Sequence, residues 1–290
     1  MHAGARSEDV NRRRAHNHGT NMTYRIGFIG TGKMASAIIK GIVDKGLFGR
    51  DEIIASNPHE KSREAAKVSL GIDVVASNAE VVRSSDVVVL SVKPQQIGGV
   101  FSSENLGFGA GHTLVSIAAG VTIETLKNYV PDSKVIRVMP NICSTNFVGA
   151  TCFSYSEDCT EKDIQVVKEV FEAVGICFEV KEKDIDAVSA ISGSSPAFMF
   201  MIVDAMADAG VLLGLPRDMS IKLAAQTMLG SAVTLMESGK HPDQLKDMVC
   251  SPGGSTIEGV KVLEDRGMRG AMISAVQACA EKARELGKRF

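Results

Sequence analysis

The chain has 290 residues, of which 44% are apolar, and its 32 basic and 34 acidic side chains leave a net charge of −2. This balance excludes the strong positive field that draws proteins to nucleic acids or anionic membranes. The length and apolar content allow a large core and indicate about two domains. We therefore expect the partner to be a small molecule or a second copy of the chain.

The N-terminal segment and the cysteines bear on the compartment. Residues 1–21 carry Arg and His side chains but no apolar core of a secretory signal, so we predict a disordered leader outside the fold. The six cysteines are scattered without a C-x-x-C pair or a histidine at ligand spacing. We expect reduced thiols, no disulfide framework, no metal site and a cytoplasmic location.

The first predicted strand, Tyr24 to Ile29, leads through Gly30-Thr31-Gly32-Lys33-Met34-Ala35 into a helical pattern. This is G-x-G-x-x-A between a strand and a helix. The first glycine permits a tight turn, the second lets a pyrophosphate approach the backbone, and the small Ala35 lets helix and strand pack closely. The context predicts a dinucleotide-binding loop rather than a merely structural glycine turn.

Strands and helices then alternate. Strands are predicted at residues 52–56, 86–91, 113–116 and 134–138, and a helix at 58–70. This alternation predicts a Rossmann-type α/β domain with a parallel sheet covered on both faces. Residues 149–155 and 176–180 could add strands. The tip of the second strand is Ser56-Asn57, followed by Lys61 and Arg63, where an NAD-binding chain usually has an acid. We predict NADP as the cofactor, with NADH as the alternative.

Two further loops follow predicted strands at the same edge of the sheet. One is Ser91-Val92-Lys93-Pro94-Gln95, and the other is Ile117-Ala118-Ala119-Gly120. Their small residues would allow the nicotinamide half of the cofactor to lie over the strand ends. Ordinary strand-to-helix turns are the alternative interpretation.

Strand signals stop near residue 181 and helical patterns fill the rest of the chain. We predict an NADP-binding domain at 22–181 and an all-α dimerisation and substrate domain at 182–290. The helix from Ala197 to Leu213 is apolar on nearly every side, yet we expect its uninterrupted run to be too short for a bilayer. A second chain would cover it, so we predict a homodimer through the helical half.

Two stretches are predicted to be open helix starts, that is, helix N-termini whose first backbone amides are available to a ligand. In Ser251-Pro252-Gly253-Gly254-Ser255-Thr256, Ser251 is a suitable N-cap and Pro252 suits the first helical position. Amides at such a terminus favour a small anion such as a carboxylate. Ser192-Gly193-Ser194-Ser195-Pro196 has the same character at the start of the apolar helix.

The residues from Met22 to Phe290 resemble the pyrroline-5-carboxylate reductases. The resemblance rests on Gly27 to Ala35, Ser91 to Gln95, Ala118 to Thr122, Arg137-Val138-Met139-Pro140-Asn141, Asp186-Ala187-Val188, Ser192-Gly193-Ser194 and above all Ser251 to Ile257. It implies reduction of the C=N bond of 1-pyrroline-5-carboxylate to L-proline with NADPH, by interlocked dimers that often form larger rings. The site would lie at the junction of two subunits.

The loops and the resemblance together give a set of expected contacts. Thr256 is expected to be catalytic, holding the ring nitrogen. The expected substrate contacts are Glu182, Ser251, Gly253, Gly254, Ser255 and Thr256. The expected cofactor contacts are Ile29, Gly30, Thr31, Gly32, Lys33, Met34, Ser56, Asn57, Asn78, Ser91, Val92, Lys93, Pro94, Ala118, Ala119 and Gly120.

The chain also departs from the family pattern. The departures are Ile142, Cys143, Val148, Ser195 and Met248, and they put the preferred imine in doubt. Three alternatives remain: a reductase of a related cyclic imine, a β-hydroxyacid dehydrogenase, or a silent NADP-binding scaffold. The absence of a lysine from the helix at 196–213 argues against the dehydrogenase.

Overall fold

The computed structural model describes residues 24–287, so the predicted leader lies outside the described residues. The described chain divides into two compact units, one up to Ile185 and one from Asp186. The first unit contains every strand, and the second is entirely helical.

The first unit is built on an eight-stranded sheet in the order β3-β2-β1-β4-β5-β6-β7-β8. Strands β1 to β6 are parallel, β7 runs antiparallel to β6, and β8 is parallel to β7. The strands are β1 Tyr24–Ile29, β2 Ile53–Ser56, β3 Asp73–Val75, β4 Ser85–Leu90, β5 Thr113–Ser116, β6 Lys134–Met139, β7 Gly149–Tyr155 and β8 Gly175–Glu179. The predicted Rossmann-type sheet is confirmed, and β7 and β8 extend it.

Helices cover both faces of this sheet. They are α1 Lys33–Asp44, α2 Glu60–Leu70, α3 Asn78–Ser84, α4 Ile97–Ser103, α5 Ile123–Tyr129 and α6 Glu161–Glu172. Side chains of α1, α2 and α6 share one buried cluster with Phe28, and those of α3, α4 and α5 share a second with Leu90. Strands buried on both faces have continuous apolar runs, which explains Val87 to Leu90.

Helix α7, Ile185–Ser189, begins at the boundary between the units. It is followed in the second unit by a π-helical turn Ala190–Ser194, α8 Ser195–Leu212, α9 Arg217–Ser238, α10 Pro242–Val249, α11 Ser255–Asp265 and α12 Met268–Gly287. The chain is helical without a break from Glu182 to Leu212, 31 residues that are long and apolar enough to cross a membrane by length and composition alone. The helix is longer than the predicted Ala197 to Leu213, because the π-helical turn continues it through Pro196; Asp204 and Asp208 lie within it and interrupt its apolar run.

Much of the apolar surface of α8 is exposed in the single chain. Phe200 is 65% exposed, Met201 70% and Leu212 87%. A helix that is apolar on every side and uncovered needs a partner surface.

All six cysteines are free thiols.

Candidate functional site

The glycine loop after β1 is tied to the loop after β4. Gly30 has a φ of 101°, and a Cβ there would lie 3.1 Å from the carbonyl oxygen of Ser91. The Ser91 hydroxyl donates to the carbonyl oxygens of Ile29 at 2.8 Å and Gly30 at 2.9 Å. Two observations therefore require a glycine at position 30, as the predicted tight turn does: the positive φ of its backbone and the close approach of the neighbouring loop.

Helix α1 begins immediately after this turn with no side chain capping it. Its N-cap is Gly32, which makes no side-chain cap bond, and the first turn carries no acidic residue. The amides of Lys33 and Met34 therefore keep the partial positive charge of an open helix start, which suits a pyrophosphate. A Cβ on Gly32 would meet nothing within 4 Å, so the space beside it can admit a ligand.

The tip of β2 connects three loops through polar side chains. The buried Ser56 donates from Oγ to Asn78 Oδ1 at 2.6 Å, and Asn57 donates from Nδ2 to Thr31 Oγ1 at 2.7 Å. Arg63 donates from Nη1 to the Asn57 carbonyl oxygen at 3.1 Å. The edge that would face an adenosine ribose thus presents hydroxyl, amide and guanidinium groups. The sequence pattern did not show the contact that Arg63 makes.

The loops after β4 and β5 end at the same edge, because the carboxyl ends of parallel strands meet there. Lys93 precedes a 3₁₀ turn at Pro94–Gln96, and its amide donates to Gln96 Oε1 at 3.1 Å. Ala118 is buried, and Gly120 has a φ of 78°. The remaining predicted contacts in these loops are Val92, beside Ser91, and Ala119, between Ala118 and Gly120. The predicted cofactor residues therefore all lie at strand ends or helix starts of one unit.

Glu182 has its partners within the first unit. Its Oε1 accepts the amide of Ile123, the first residue of α5, at 2.7 Å and Nη1 of Arg137 at 3.2 Å. The Arg137 side chain is 6% exposed and that of Glu182 32%. The carboxylate therefore fixes the segment after β8 onto β6 and the start of α5. The substrate contact that the resemblance implies for Glu182 stays a prediction, and the sequence did not show that Arg137 lies opposite its carboxylate.

The stretch from Ser251 to Thr256 forms a tight turn and an open helix start in the second unit. Gly253 has a φ of 67°, and the Gly254 amide donates to the Ser251 carbonyl oxygen at 3.0 Å. The N-cap is Gly254, which makes no side-chain cap bond, and α11 begins at Ser255. The expectation of Ser251 as N-cap and Pro252 as first helical residue was wrong, because positive φ at Gly253 delays the helix.

The second stretch predicted as a helix start, Ser192 to Pro196, is the interior of a helix. Ser192 Oγ donates to the Val188 carbonyl oxygen, and Ser195 Oγ to that of Ala190, both at 3.0 Å. The π-helical turn precedes Pro196, which has no amide to donate. The serine hydroxyls therefore bond within the helix, and no amides are left open there for an anion.

The departures from the family pattern fall in two places. Ile142 and Cys143 are the first two residues of the 3₁₀ helix Ile142–Asn146 after β6, and Val148 follows that helix; Ile142 is 56% and Val148 68% exposed. Ser195 lies at the start of α8, and Met248 lies near the end of α10.

Comparison with known proteins gives two family models that match separate parts of the chain. Residues 182–286 match a model described as pyrroline-5-carboxylate reductase dimerisation. Residues 25–120 match a model described as NADP oxidoreductase, coenzyme F420-dependent.

Relatives match over most of the chain. A pyrroline-5-carboxylate reductase of Methanosarcina acetivorans is 42% identical over 91% of this chain and 98% of its own length. One from Glycine max is 42% identical over 91% of this chain and 96% of its own. The crystal structure of Plasmodium falciparum pyrroline carboxylate reductase with NADP bound has a TM-score of 0.81 at 31% identity, covering 93% of this chain and 100% of that one.

Proposed function

Since the chain belongs to the pyrroline-5-carboxylate reductases, we infer that it reduces the C=N bond of 1-pyrroline-5-carboxylate to L-proline with NADPH, the last step of proline biosynthesis. The observation that carries this is 42% identity to such a reductase over 91% of the chain. The N-terminal unit is the NADP-binding Rossmann-type domain, and the helical unit is the dimerisation domain.

We propose that the open start of α1 and the loops beside it hold the cofactor. The amides at Gly32, Lys33 and Met34 would take the pyrophosphate. Asn57 and Asn78, together with Arg63, would meet the ribose 2′-phosphate, because these donors lie where an NAD-binding chain has an acid. NADPH supplies the hydride when bound. NADH is the alternative cofactor, and the assay run with each cofactor measures the ratio of the two activities.

We propose that the open start of α11 holds the substrate carboxylate. The Gly254 amide is already donated to Ser251, so the donors would be the amides of Ser255 and Thr256, which have no acceptor within the helix. The Thr256 hydroxyl would bond the ring nitrogen. A threonine does not titrate near neutral pH, so the imine would arrive protonated or gain its proton from water. Glu182 stays a predicted substrate contact through the resemblance, and its carboxylate also binds Arg137 and the first amide of α5.

We propose a homodimer, or a larger ring of dimers, in which a second copy covers α8. The support is the exposed apolar side chains of α8 and the match of residues 182–286 to a dimerisation model. The same cover would bury the apolar helix of 31 residues without a membrane, which supports the proposed cytoplasmic location.

The test is NADPH oxidation with 1-pyrroline-5-carboxylate on the wild type, Thr256→Ala and Thr256→Ser. Thr256→Ala should lose about 100-fold in turnover, the usual effect of removing one transition-state hydrogen bond, and should keep its NADPH affinity. Thr256→Ser keeps the hydroxyl and should retain most of the activity. An unchanged rate in Thr256→Ala would remove this residue from the mechanism.

The same assay separates the alternatives. Tight NADPH binding without turnover of any cyclic imine would indicate a scaffold. Turnover of a different cyclic imine in preference would indicate that the departures at Ile142 to Val148 or at Ser195 have changed the substrate. Oxidation of a β-hydroxyacid would indicate the dehydrogenase.

A further inference from the structure

Glu104, the residue that follows α4, bonds to the start of α3 across 26 residues of sequence. Its Oε1 accepts the amides of Asn78 at 2.8 Å and Ala79 at 3.3 Å, and its Oε2 accepts the Ser77 hydroxyl at 2.9 Å. Ser77 in turn accepts the amide of Glu80 at 3.2 Å and is the N-cap of the helix. One carboxylate therefore bonds three donors at this end of α3.

These bonds hold the backbone of Asn78, whose side chain reaches the tip of β2. Asn78 Oδ1 accepts the hydroxyl of the buried Ser56 at 2.6 Å. The oxygen and nitrogen of an amide diverge, so a bond from Ser56 to the oxygen turns the Nδ2 donor away from Ser56. Ser56 stands at the strand end where a Rossmann domain distinguishes a ribose hydroxyl from its phosphate.

A helix as short as α3 has little stability of its own. It spans seven residues, Asn78–Ser84, about two turns, which is below the length at which an isolated helix forms in water. The start of the helix is therefore held mainly by tertiary bonds, and Glu104 supplies three, one each to Ser77, Asn78 and Ala79. Loss of these bonds would let Asn78 move relative to Ser56.

We propose that Glu104 is a positioning residue for cofactor choice. It holds the backbone of Asn78 so that the side-chain Nδ2 of Asn78 meets the 2′-phosphate of NADPH. This rests on the proposed function only in taking NADPH as the cofactor. The effect works through geometry, since the negative charge of Glu104 would by itself oppose a phosphate.

The experiment measures dissociation constants of NADPH and NADH for the full-length wild type, Glu104→Ala and Glu104→Gln. In Glu104→Ala, NADPH should weaken about fivefold to tenfold, the value of about one hydrogen bond, and NADH by less than twofold. Glu104→Gln keeps one acceptor oxygen for the two amides and should recover most of the loss. Adenosine 2′,5′-bisphosphate and AMP, used as fragments, should show the same difference.

Ser84→Ala is the matched control, because it removes a hydroxyl bond to the Glu80 carbonyl oxygen at the opposite end of the same helix. It should leave both dissociation constants unchanged. In the Asn78→Ala background, Glu104→Ala should have no further effect on the ratio of the two cofactors.

Three results would overturn the proposal: equal weakening of NADPH and NADH, tighter NADPH binding in Glu104→Gln than in the wild type, or additive effects of the two alanine substitutions. If Glu104→Ala does not fold, Glu104→Gln decides the question: it loses the acceptor for the Ser77 hydroxyl, so a small weakening of NADPH relative to NADH is expected, and no change in that ratio against Ser84→Ala would overturn the proposal. The binding constants need no substrate, so failure to reduce 1-pyrroline-5-carboxylate would count against the proposed function and leave this test intact.

Discussion

Substitution of Glu182 tests whether this carboxylate is structural or binds substrate. In Glu182→Ala, Arg137 would lose a carboxylate partner while its side chain stays 6% exposed, and the amide of Ile123 would lose its acceptor. Breaking a buried ion pair costs about 3 to 5 kcal/mol. Because Glu182 is itself 32% exposed, water can reach the gap, and we expect a loss of about 2 to 3 kcal/mol.

Thermal unfolding of the purified protein measures this loss. In a unit of this size, about 1 kcal/mol corresponds to about 2 to 4 °C, so Glu182→Ala should lower Tm by about 5 to 10 °C. Glu182→Gln keeps an oxygen for both donors and should lower Tm by less. The control is Glu172→Ala, which removes a surface pair with Lys168 at 3.8 Å and should change stability by less than about 0.5 kcal/mol.

Kinetics with 1-pyrroline-5-carboxylate complete this test. We expect Glu182→Gln to keep a KM for the imine within twofold of the wild type at a temperature where both are folded. If Glu182→Gln left Tm unchanged and raised the KM for the imine tenfold or more, the structural role would be refuted and Glu182 would be a substrate-binding residue.

Three further predictions concern other parts of the structure. Asn57→Asp puts a carboxylate at the tip of β2 and should raise the KM for NADPH about tenfold or more by repulsion, with the KM for NADH unchanged or lower in parallel assays. Gly175→Ala would place a Cβ 2.0 Å from the Gly149 carbonyl oxygen at a φ of 149°, so a loss of about 3 kcal/mol or more is expected in urea unfolding; Gly109→Ala, with nothing within 4 Å, should be tolerated. Burial favours a raised pKa for Asp163, but hydrogen bonds from lysine and threonine side chains outweigh it and lower the pKa from 3.8 to about 2. This stabilisation, about 1 to 2 kcal/mol after solvent screening, is present above pH 4 and is lost as pH falls toward 2. Melts of Asp163→Asn should lack this acid dependence; a dependence identical to that of the wild type would contradict the assignment.

Local signals in the sequence predicted most of the long elements. The strand from Tyr24 to Ile29 and the helix that follows Gly32 are where the sequence predicts them, because the apolar run and the glycine spacing determine them locally. Short elements such as β3 and α3 were missed, and so was the break at Gly267 between α11 and α12. Three residues of strand carry too little periodicity to predict.

Tertiary structure decided the features that depend on distant partners. The sequence showed no partner for Glu182 within the chain, and only the fold brings Arg137, 45 residues earlier, to its carboxylate. Pro196 looked like the start of a helix, but a π-helical turn and the Ser195 hydroxyl carry the helix through it.

The sequence by itself determined the Rossmann-type sheet, the glycine loop of α1 and the presence of an open helix start in the stretch from Ser251 to Thr256, because each depends on the conformations that a few adjacent residues allow. Only the tertiary structure decided what Glu104 and Glu182 bind. A charged side chain can bond many different groups, and packing decides which of them comes within hydrogen-bonding distance. Neighbouring residues in the sequence do not specify that partner.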